Sequence, residues 1–257
     1  SDLEGYTFMG WSTKPMQSVS PQYEAEEKIT VNGNVDLYAV VFNRTTETDL
    51  TEDQLPQVDI YKYKQVIFVG DSRTEFMENV LTGMGESATK NVKFVCSAGK
   101  GLDWFTTTGW AQLYSIVQHD SNSILSKKTA VIFNFGVNDL SKSADYAEYY
   151  NWIAPQLKSK GCELYFMSVN PVNRLMLPNA GRADRSEAAV RSFNQYMKAN
   201  LPSAYTYIDM YSYLKSTGYS FASDHYGTGT VDDGLHYTTR TYKRIFAKCM
   251  DSLRVPA

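Results

Sequence analysis

Two kinds of hydrophobic patterning divide the chain. Over the first 42 residues, short segments alternate apolar and polar positions and are separated by turn-forming residues. An alternation with a period of two is typical of strands that bury one face. The dipeptide Asn32-Gly33 stands between KITV and DLYAVV, and Asn-Gly favours a tight two-residue turn. We therefore expect these two segments to pair as an antiparallel hairpin.

From about residue 65, continuous apolar runs replace the alternation. Strands that are covered on both faces lose their polar positions, and such strands are predicted at QVIFVG, VKFVCSAG, TAVIFNFG, CELYFMSVN and AYTYID. Helices are predicted at 74–83, 110–125, 144–159 and 186–200, with TTRTYKRIFAKCMDSL closing the chain. Alternating strands and helices predict an α/β fold with a mostly parallel sheet and helices on both faces.

The patterning also predicts where the chain divides. Residues 43–63 are polar and acidic and have no clear period, so we interpret them as a linker. The predicted organisation is a small β module at 1–42, a linker at 43–63 and an α/β domain at 64–257. Because the linker lacks the apolar pattern of a shared core, we expect the module to be dispensable for the activity of the α/β domain.

Composition excludes several classes of function. The formal net charge is −3 and no basic run exceeds Lys127-Lys128, so the chain lacks the electrostatic footprint of a nucleic-acid-binding protein. No apolar run approaches the ~20 residues of a membrane-spanning helix. The three cysteines are too scattered for a disulfide framework or a zinc cluster, and His119 and His225 lack partners at metal-ligand spacing.

Four short blocks carry the candidate chemistry. The first three predicted strands end at GDSR (70–73), SAGKG (97–101) and GVND (136–139), and DGLH (233–236) precedes the last helix. Taken singly, each block could be an ordinary capping turn. Ligands of parallel α/β sheets bind at the carboxyl ends of the strands, so the joint occurrence of these blocks there indicates a functional site.

The four blocks resemble the signature of the SGNH (GDSL-type) hydrolase superfamily over about residues 64–255. The family takes Ser, Gly, Asn and His, one from each block, and here GDSR stands for GDSL and DGLH is the DxxH match. The resemblance implies a three-layer α/β/α, flavodoxin-like fold and a serine nucleophile without metal or cofactor. The glycine block matches least well, because Cys96-Ser97-Ala98 stands where the family often has Asn before the glycine. We assign Gly101, with Gly99 as second choice.

The residue types suit the roles that the resemblance implies. A serine hydroxyl needs a neighbouring base to take its proton, and a histidine titrates near neutral pH, so His236 is expected to activate Ser72. Asp233 can hold the far imidazole nitrogen and stabilise the imidazolium. The oxyanion would be bound by the Ser72 N–H at the start of a helix, the Gly101 N–H and the Asn138 amide.

The substrate is expected to be a small acyl ester, in particular O-acetyl on carbohydrate. Aromatic rings with polar groups between them suit sugar rings, and the segments 100–110, 171–183 and 217–232 carry both. Candidate contacts are Trp104, Asn173, Tyr226 and Arg73, where Arg73 could instead form a structural ion pair. Two alternatives stay open: an O-acyltransferase using the same residues, and a surface adhesin or carbohydrate-binding protein on a hydrolase scaffold.

The front module has a resemblance of its own. Residues 5–42 resemble part of a Listeria–Bacteroides-type surface repeat, through the GYTFMGW opening, the Asn-Gly turn and the LYAVV close. The resemblance implies an extracellular or cell-surface location on a bacterium and contact with the cell wall or a glycan. An inert appendage is the alternative.

Overall fold

A five-stranded parallel sheet forms the centre of the molecule, in a computed structural model that describes residues 4–15, 20–59, 62–120, 128–177, 185–222 and 232–253. The strands are β1 (Tyr6–Ser12), β2 (Tyr38–Asn43), β3 (Tyr63–Gly70), β4 (Val92–Cys96), β5 (Lys128–Asn134), β6 (Cys162–Met167) and β7 (Tyr205–Ile208). The sheet runs in the order β4-β3-β5-β6-β7, and each pairing in it is parallel. The predicted α/β fold with a small N-terminal β module is confirmed.

Helices cover both faces of this sheet. They are α1 (Ser72–Met84), α2 (Leu102–Trp104), α3 (Trp110–Asp120), α4 (Ser143–Ser159), α5 (Glu187–Asn200), α6 (Met210–Thr217) and α7 (Thr239–Ser252). A single π-helical turn, Phe105–Gly109, joins α2 to α3. The helix α6 was not among the predicted helices; the other long helices lie where the sequence predicts them.

Strand β3 illustrates why the apolar runs are continuous. Val66 and Phe68 belong to an apolar cluster with α1 and α7, while Ile67 and Val69 belong to a second cluster with α3, α4 and α5. All four side chains are fully buried. Each such burial stabilises the fold by roughly 1.5–3 kcal/mol, so neither face of the strand can carry a polar residue at low cost.

The three strands that carry the first blocks end side by side. Gly70, the last residue of β3, is in register with Cys96 of β4 and Asn134 of β5. A Cβ atom at Gly70 would overlap the Thr74 side chain and lie 2.7 Å from the Asn134 carbonyl oxygen. Glycine at this position therefore lets α1 begin directly against the strand end.

The N-terminal module pairs differently from the prediction. Strand β2 pairs antiparallel with β1, whereas residues 28–31, which the structure describes, are not part of a strand. The predicted hairpin across Asn32-Gly33 is therefore wrong. Val31 and Val35, on either side of that turn, are 53% and 44% exposed, while Met9 of β1 is fully buried. Strand β1 offers β2 a face that packs on the core, and KITV offers none.

The segment predicted as a linker packs on the α/β domain. The apolar cluster that contains α1 and α7 also contains residues from the module and from this segment: Met9, Val40, Phe42, Leu55 and Val58. Glu47 is buried and accepts from Arg244 of α7, with 3.0 Å between Oε1 and Nη1. Residues 43–63 are thus not a free linker. Their apolar positions show no period because single side chains are buried from a segment with little regular secondary structure. The boundaries at 42 and 63 stay predictions.

Candidate active site

Three side chains form a continuous row of hydrogen bonds above the carboxyl end of β3. Ser72 is the first residue of α1, and its Oγ lies 2.9 Å from Nε2 of His236. Nδ1 of the same imidazole lies 2.6 Å from Oδ2 of Asp233. The structure therefore brings together the predicted nucleophile, base and carboxylate, although 164 positions of sequence separate Ser72 from His236.

A tight turn orients the carboxylate and the imidazole. Oδ1 of Asp233 accepts the backbone N–H groups of Leu235 and His236, at 2.9 and 2.8 Å. Gly234 has a φ of +73°, and a Cβ atom there would overlap the carbonyl oxygen of Asn173. The Asn173 N–H donates to the Gly234 carbonyl at 2.8 Å. The DGLH block is thus a turn pressed against the loop that follows β6.

The hydrogen bonds within the turn decide the protonation of Asp233. Burial acts to raise the pKa of Asp233, but hydrogen bonds from the His236 ring and backbone outweigh it, and the pKa lies below its ordinary value. The group is therefore a carboxylate at neutral and mildly acidic pH. An ionised carboxylate can hold the Nδ1–H tautomer and stabilise a positive charge on the ring.

Phe76 is a residue of the site that sequence reasoning missed. Its ring stacks on the His236 imidazole, with the centroids 4.2 Å apart and the planes inclined by 23°. Phe76 lies four residues after Ser72 on α1 and is buried. Residues four apart share a helix face, so helical spacing from Ser72 could have indicated it. The stacked ring restricts rotation of the imidazole away from Ser72.

The glycine and asparagine blocks line one cavity of about 370 Å³. Gly99, Gly101 and Asn138 all contribute to its walls. A Cβ atom at Gly101 would overlap the carboxylate of Asp139, whereas the space beside Gly99, at φ +69°, is open. Asp139 accepts the Leu102 N–H at 2.9 Å and so holds the backbone that follows Gly101. Close packing therefore requires glycine at 101, the first choice for the oxyanion donor.

The Asn138 carboxamide is bonded at both ends. Its Nδ2 donates to the Lys100 carbonyl at 2.8 Å, and its Oδ1 accepts from Nη2 of Arg185 at 2.7 Å. Arg185 also donates through Nε to the Val137 carbonyl at 3.0 Å. Arg185 is the second residue that sequence reasoning missed. It lies 47 positions after Asn138, and nothing in its local sequence indicates the contact.

Arg73 lacks the exposure expected of a residue that contacts a substrate. It is 2% exposed and donates to three backbone carbonyls, those of Leu235 (3.0 Å), Asn170 (2.9 Å) and Pro171 (2.8 Å). Its guanidinium also lies 5.2 Å from the centre of the Tyr237 ring. These contacts correct the prediction: Arg73 ties α1 to the loops that carry the imidazole and the carboxylate.

The other candidate substrate contacts are Trp104, Asn173 and Tyr226. The half-buried Trp104 ring packs near Phe135, with centroids 6.2 Å apart. The Asn173 side chain donates to Oδ2 of Asp232 at 3.3 Å and thereby supports the DGLH turn. Their contact with substrate stays a prediction, and Tyr226 lies outside the described residues.

Asp71 is a buried carboxyl group beside the site. Its Oδ1 accepts the Arg73 N–H at 3.0 Å and caps the N-terminus of α1. Burial raises the pKa of Asp71 to about 6, against the lowering effect of the Arg73 guanidinium. The helix end that presents Ser72 therefore depends on a group that titrates in mildly acidic solution.

Neither a cluster of metal ligands nor a membrane-spanning helix occurs in the described parts of the chain. Within the described ranges, no cluster of three or more His, Cys, Asp or Glu side chains is arranged to hold a metal ion. None of the helices in the described parts of the chain combines the length and apolar character needed to cross a membrane.

Comparison with known proteins gives one family and a set of similar folds. Residues 66–249 match the model of the family described as GDSL-like Lipase/Acylhydrolase. A solved structure from Slackia heliotrinireducens, described as an SGNH hydrolase, is 12% identical with a TM-score of 0.52, and the match covers 75% of this chain and 100% of that one. A Bacteroides fragilis structure, described as an acylhydrolase, is 16% identical with a TM-score of 0.48 over 78% and 92% of the two chains. No curated protein sequence matches the chain.

Proposed function

The chain belongs to the GDSL-like lipase/acylhydrolase family, and on this premise we propose that it is a serine esterase that removes small acyl groups, above all O-acetyl, from carbohydrate. The observation that carries the proposal is the hydrogen-bonded row of Asp233, His236 and Ser72, at 2.6 and 2.9 Å. Such a row is the arrangement in which a serine hydroxyl becomes nucleophilic at neutral pH.

The first half of the reaction forms an acyl-enzyme. His236 Nε2 takes the hydroxyl proton of Ser72 while Oγ attacks the ester carbonyl carbon, and the C=O electron pair moves to oxygen. Asp233 stabilises the imidazolium that forms. When the tetrahedral intermediate collapses, the bond to the alcohol oxygen breaks and the imidazolium donates its proton to the leaving alkoxide. The second half repeats these steps with water as nucleophile and releases the carboxylic acid.

The negative oxygen of the intermediate would be bound by three donors. The Ser72 N–H lies in the first turn of α1, where the helix dipole favours negative charge. Gly101 and Asn138 follow the strands on either side of β3, line one cavity, and would add a backbone N–H and a side-chain amide N–H. Donors that are already in place when charge develops lower the barrier more than they stabilise the ground state.

The lining of this cavity supports a small and polar substrate. Besides the glycines and Asn138, the walls are formed mainly by charged and hydroxyl side chains, namely Asp103, Asp139, Ser141 and Lys142, with Leu140 as the apolar contributor. A long acyl chain binds by transferring apolar area out of water, at about 25 cal/mol per Å². A polar wall gives that chain little gain and instead offers hydrogen bonds to sugar hydroxyls.

The proposal extends to where the enzyme acts. The resemblance of residues 5–42 to a surface repeat favours an extracellular bacterial enzyme whose front module contacts a glycan. Aromatic rings on β1 support this, because Phe8 and Trp11 are 37% and 38% exposed and could stack on sugar rings. Loss of polysaccharide binding in Trp11→Ala, with unchanged hydrolysis of a small soluble ester, is the expected outcome. Full polysaccharide binding by Trp11→Ala would contradict the glycan contact.

A chain-length series on chromogenic esters tests the function directly. We expect kcat/KM to be highest for acetyl, lower for butyryl and lowest for octanoyl esters, together with acetate release from an acetylated polysaccharide. Ser72→Ala should reduce kcat by several orders of magnitude, whereas Ser159→Ala, at the end of α4, should leave it unchanged. Highest activity on octanoyl esters would overturn the carbohydrate assignment. Near-parental activity of Ser72→Ala would overturn the mechanism, and acetyl transfer to an added sugar would establish the acyltransferase alternative.

A further inference from the structure

We propose that Arg185 is a positioning residue that fixes which end of the Asn138 carboxamide faces the oxyanion. The proposal rests on the proposed function, because it assigns Arg185 a role in the oxyanion contact of Asn138. Two hydrogen bonds carry it: Nη2 of Arg185 to Oδ1 of Asn138 at 2.7 Å, and Nε of Arg185 to the Val137 carbonyl at 3.0 Å. The guanidinium thus holds the side chain and the backbone of the GVND block together.

The need for such a residue follows from the chemistry of an amide. A carboxamide has an acceptor oxygen at one end and two N–H donors at the other, and rotation by 180° exchanges them. In the rotated state Oδ1 of Asn138 would face the developing negative charge and repel it. An oxyanion donor is therefore useful only if the rotated state is excluded.

The two partners of Asn138 exclude that state from both ends. A guanidinium has donors and no acceptor, so Arg185 can meet only Oδ1. A carbonyl oxygen only accepts, so the Lys100 carbonyl, at 2.8 Å, can meet only Nδ2. Rotation of the amide would place Nδ2 against the N–H donors of Arg185 and Oδ1 against the carbonyl oxygen of Lys100. In the observed state one N–H of Nδ2 binds Lys100 and the other is left for a ligand in the cavity that Asn138 lines.

The positive charge of Arg185 also strengthens the donor. Hydrogen bonds from a guanidinium are charge-assisted and short, as the 2.7 Å contact is. A carboxamide whose oxygen accepts such a bond is polarised, and its N–H groups become better donors. The effect grows as negative charge develops on the substrate oxygen, so it acts on the transition state more than on the bound ester.

The fold holds Arg185 in place for this contact. Arg185 directly precedes Ser186, which caps helix α5 by accepting the Ala189 N–H at 3.0 Å. Helix α5 packs on the GVND block through Phe193, whose ring would lie 2.6 Å from a Cβ atom added at Gly136. Because α5 and the block are in direct contact, the guanidinium reaches Asn138 from the N-terminal end of a helix that packs on that block.

A double-mutant cycle tests the inference. Arg185→Met removes the donors and keeps much of the apolar stem, and we expect kcat on an acetyl ester to fall about tenfold with KM nearly unchanged. Asn138→Ala alone should lower kcat by roughly 10²–10³. In the Asn138→Ala background, Arg185→Met should cost nothing further, because the amide through which Arg185 acts is gone. Arg191→Met, which removes an arginine of α5 that donates to the Ala25 carbonyl, is the matched control with parental kcat.

The possible outcomes separate this inference from its alternatives. Additive losses in the cycle, a raised KM at parental kcat, or parental kcat in folded Arg185→Met would each overturn the positioning role. If thermal unfolding shows that Arg185→Met does not fold, the cycle is run with Arg185→Lys, which keeps the charge and loses the planar fork; we expect a lower kcat and the same non-additivity. Near-parental activity of Ser72→Ala or Asn138→Ala would instead refute the proposed mechanism or its oxyanion hole.

Discussion

At the scale of single residues, the candidate site depends on how the His236 imidazole is held beside Ser72. Asp233 lies on the far side of the imidazole and Phe76 against its face, so the ring is held both at its edge and on its plane. The hydrogen bonds from His236 keep the pKa of Asp233 below its ordinary value in spite of burial. The Asp233 carboxylate therefore stays charged in neutral and mildly acidic solution.

The first prediction concerns the acid limb of the pH profile. Only a neutral imidazole can accept the Ser72 proton, so kcat/KM should fall about tenfold per pH unit once His236 is protonated. Asp233 should add no second step above about pH 4, because its pKa is lowered. Rates on an acetyl ester between about pH 8 and pH 4 measure this. A flat rate down to about pH 4 would rule out a histidine base. A slope of two that persists in Asp71→Asn, which removes the other carboxyl group titrating in this range, would contradict the lowered pKa of Asp233.

Arg73 is a residue whose role could not be inferred from its position in the sequence. It replaces the Leu that the family commonly has, and an exposed arginine would suit an anionic substrate. Burial decides otherwise, because a guanidinium taken out of water must have its donors satisfied, and three backbone carbonyls do so. From its position next to Ser72, Arg73 therefore supports the loops around the site.

At the scale of elements, the N-terminus of α1 is the feature that places Ser72. Asp71 caps it with a buried carboxyl group whose pKa burial raises to about 6. A carboxyl group with a raised pKa in the folded state contributes stability that is fully present below its unfolded pKa near 4. That contribution is lost as the pH rises through about 6.

The second prediction follows from the direction of this pH dependence of stability. Asp71→Asn keeps an oxygen that can cap α1 and removes the buried charge. Between about pH 4 and pH 7, the difference in unfolding free energy between variant and parent should move in favour of the variant by up to ~3 kcal/mol. Urea unfolding at several pH values measures it. A difference that stays constant with pH, or moves in favour of the parent, would contradict a raised pKa at Asp71.

The third prediction concerns the DGLH turn. In Gly234→Ala the added Cβ atom overlaps the Asn173 carbonyl oxygen. The left-handed backbone of residue 234 costs an alanine about 1–2 kcal/mol in addition to that overlap. We expect the turn to shift and kcat to fall by at least about tenfold, since Asp233 and His236 both lie on it. The control is Gly83→Ala in α1, where nothing lies within 4 Å of the added atom. Parental kcat in Gly234→Ala would show that the turn tolerates the change.

At the scale of the whole molecule, the N-terminal module and the α/β domain share a core. Phe42 is 6% exposed, and its ring packs so closely on Gly218 that no side chain would fit there. Polar contacts join the same parts: Lys215 of α6 binds Glu24 at 2.8 Å, and Arg191 of α5 donates to the Ala25 carbonyl at 3.2 Å. The expectation of a dispensable module is therefore replaced by one of mutual support.

The fourth prediction measures that support. Phe42→Ala should lower the free energy of unfolding by roughly 3–5 kcal/mol, through lost burial and the cavity left behind. Val31→Ala in the same module, at a side chain that is 53% exposed, should change it by less than about 0.5 kcal/mol. A chain that begins at residue 55 should unfold at a lower temperature than the full chain. Equal thermal stability of the shortened and full chains would show that the module contacts the domain without stabilising it.

The sequence by itself determined the parallel sheet and the edge at which the candidate site lies. Strands covered on both faces must be apolar throughout, so their positions can be read locally, and the carboxyl ends of parallel strands meet at one edge. That rule was enough to predict Ser72, Gly101 and Asn138 at this edge, and their joint role as oxyanion donors stays a prediction. The row of Ser72, His236 and Asp233 followed from residue types that suit proton transfer and from the family resemblance.

Only the tertiary structure decided which partners the remaining residues find. The pairing of β2 with β1 depends on which candidate strand has a core to pack on, and the Asn-Gly turn cannot report that. Arg185 meets Asn138 across 47 positions of sequence, and Arg73 turns inward to carbonyls more than 90 positions away. Hydrogen-bond donors are satisfied wherever the fold brings an acceptor within about 3 Å, and no local pattern encodes that meeting.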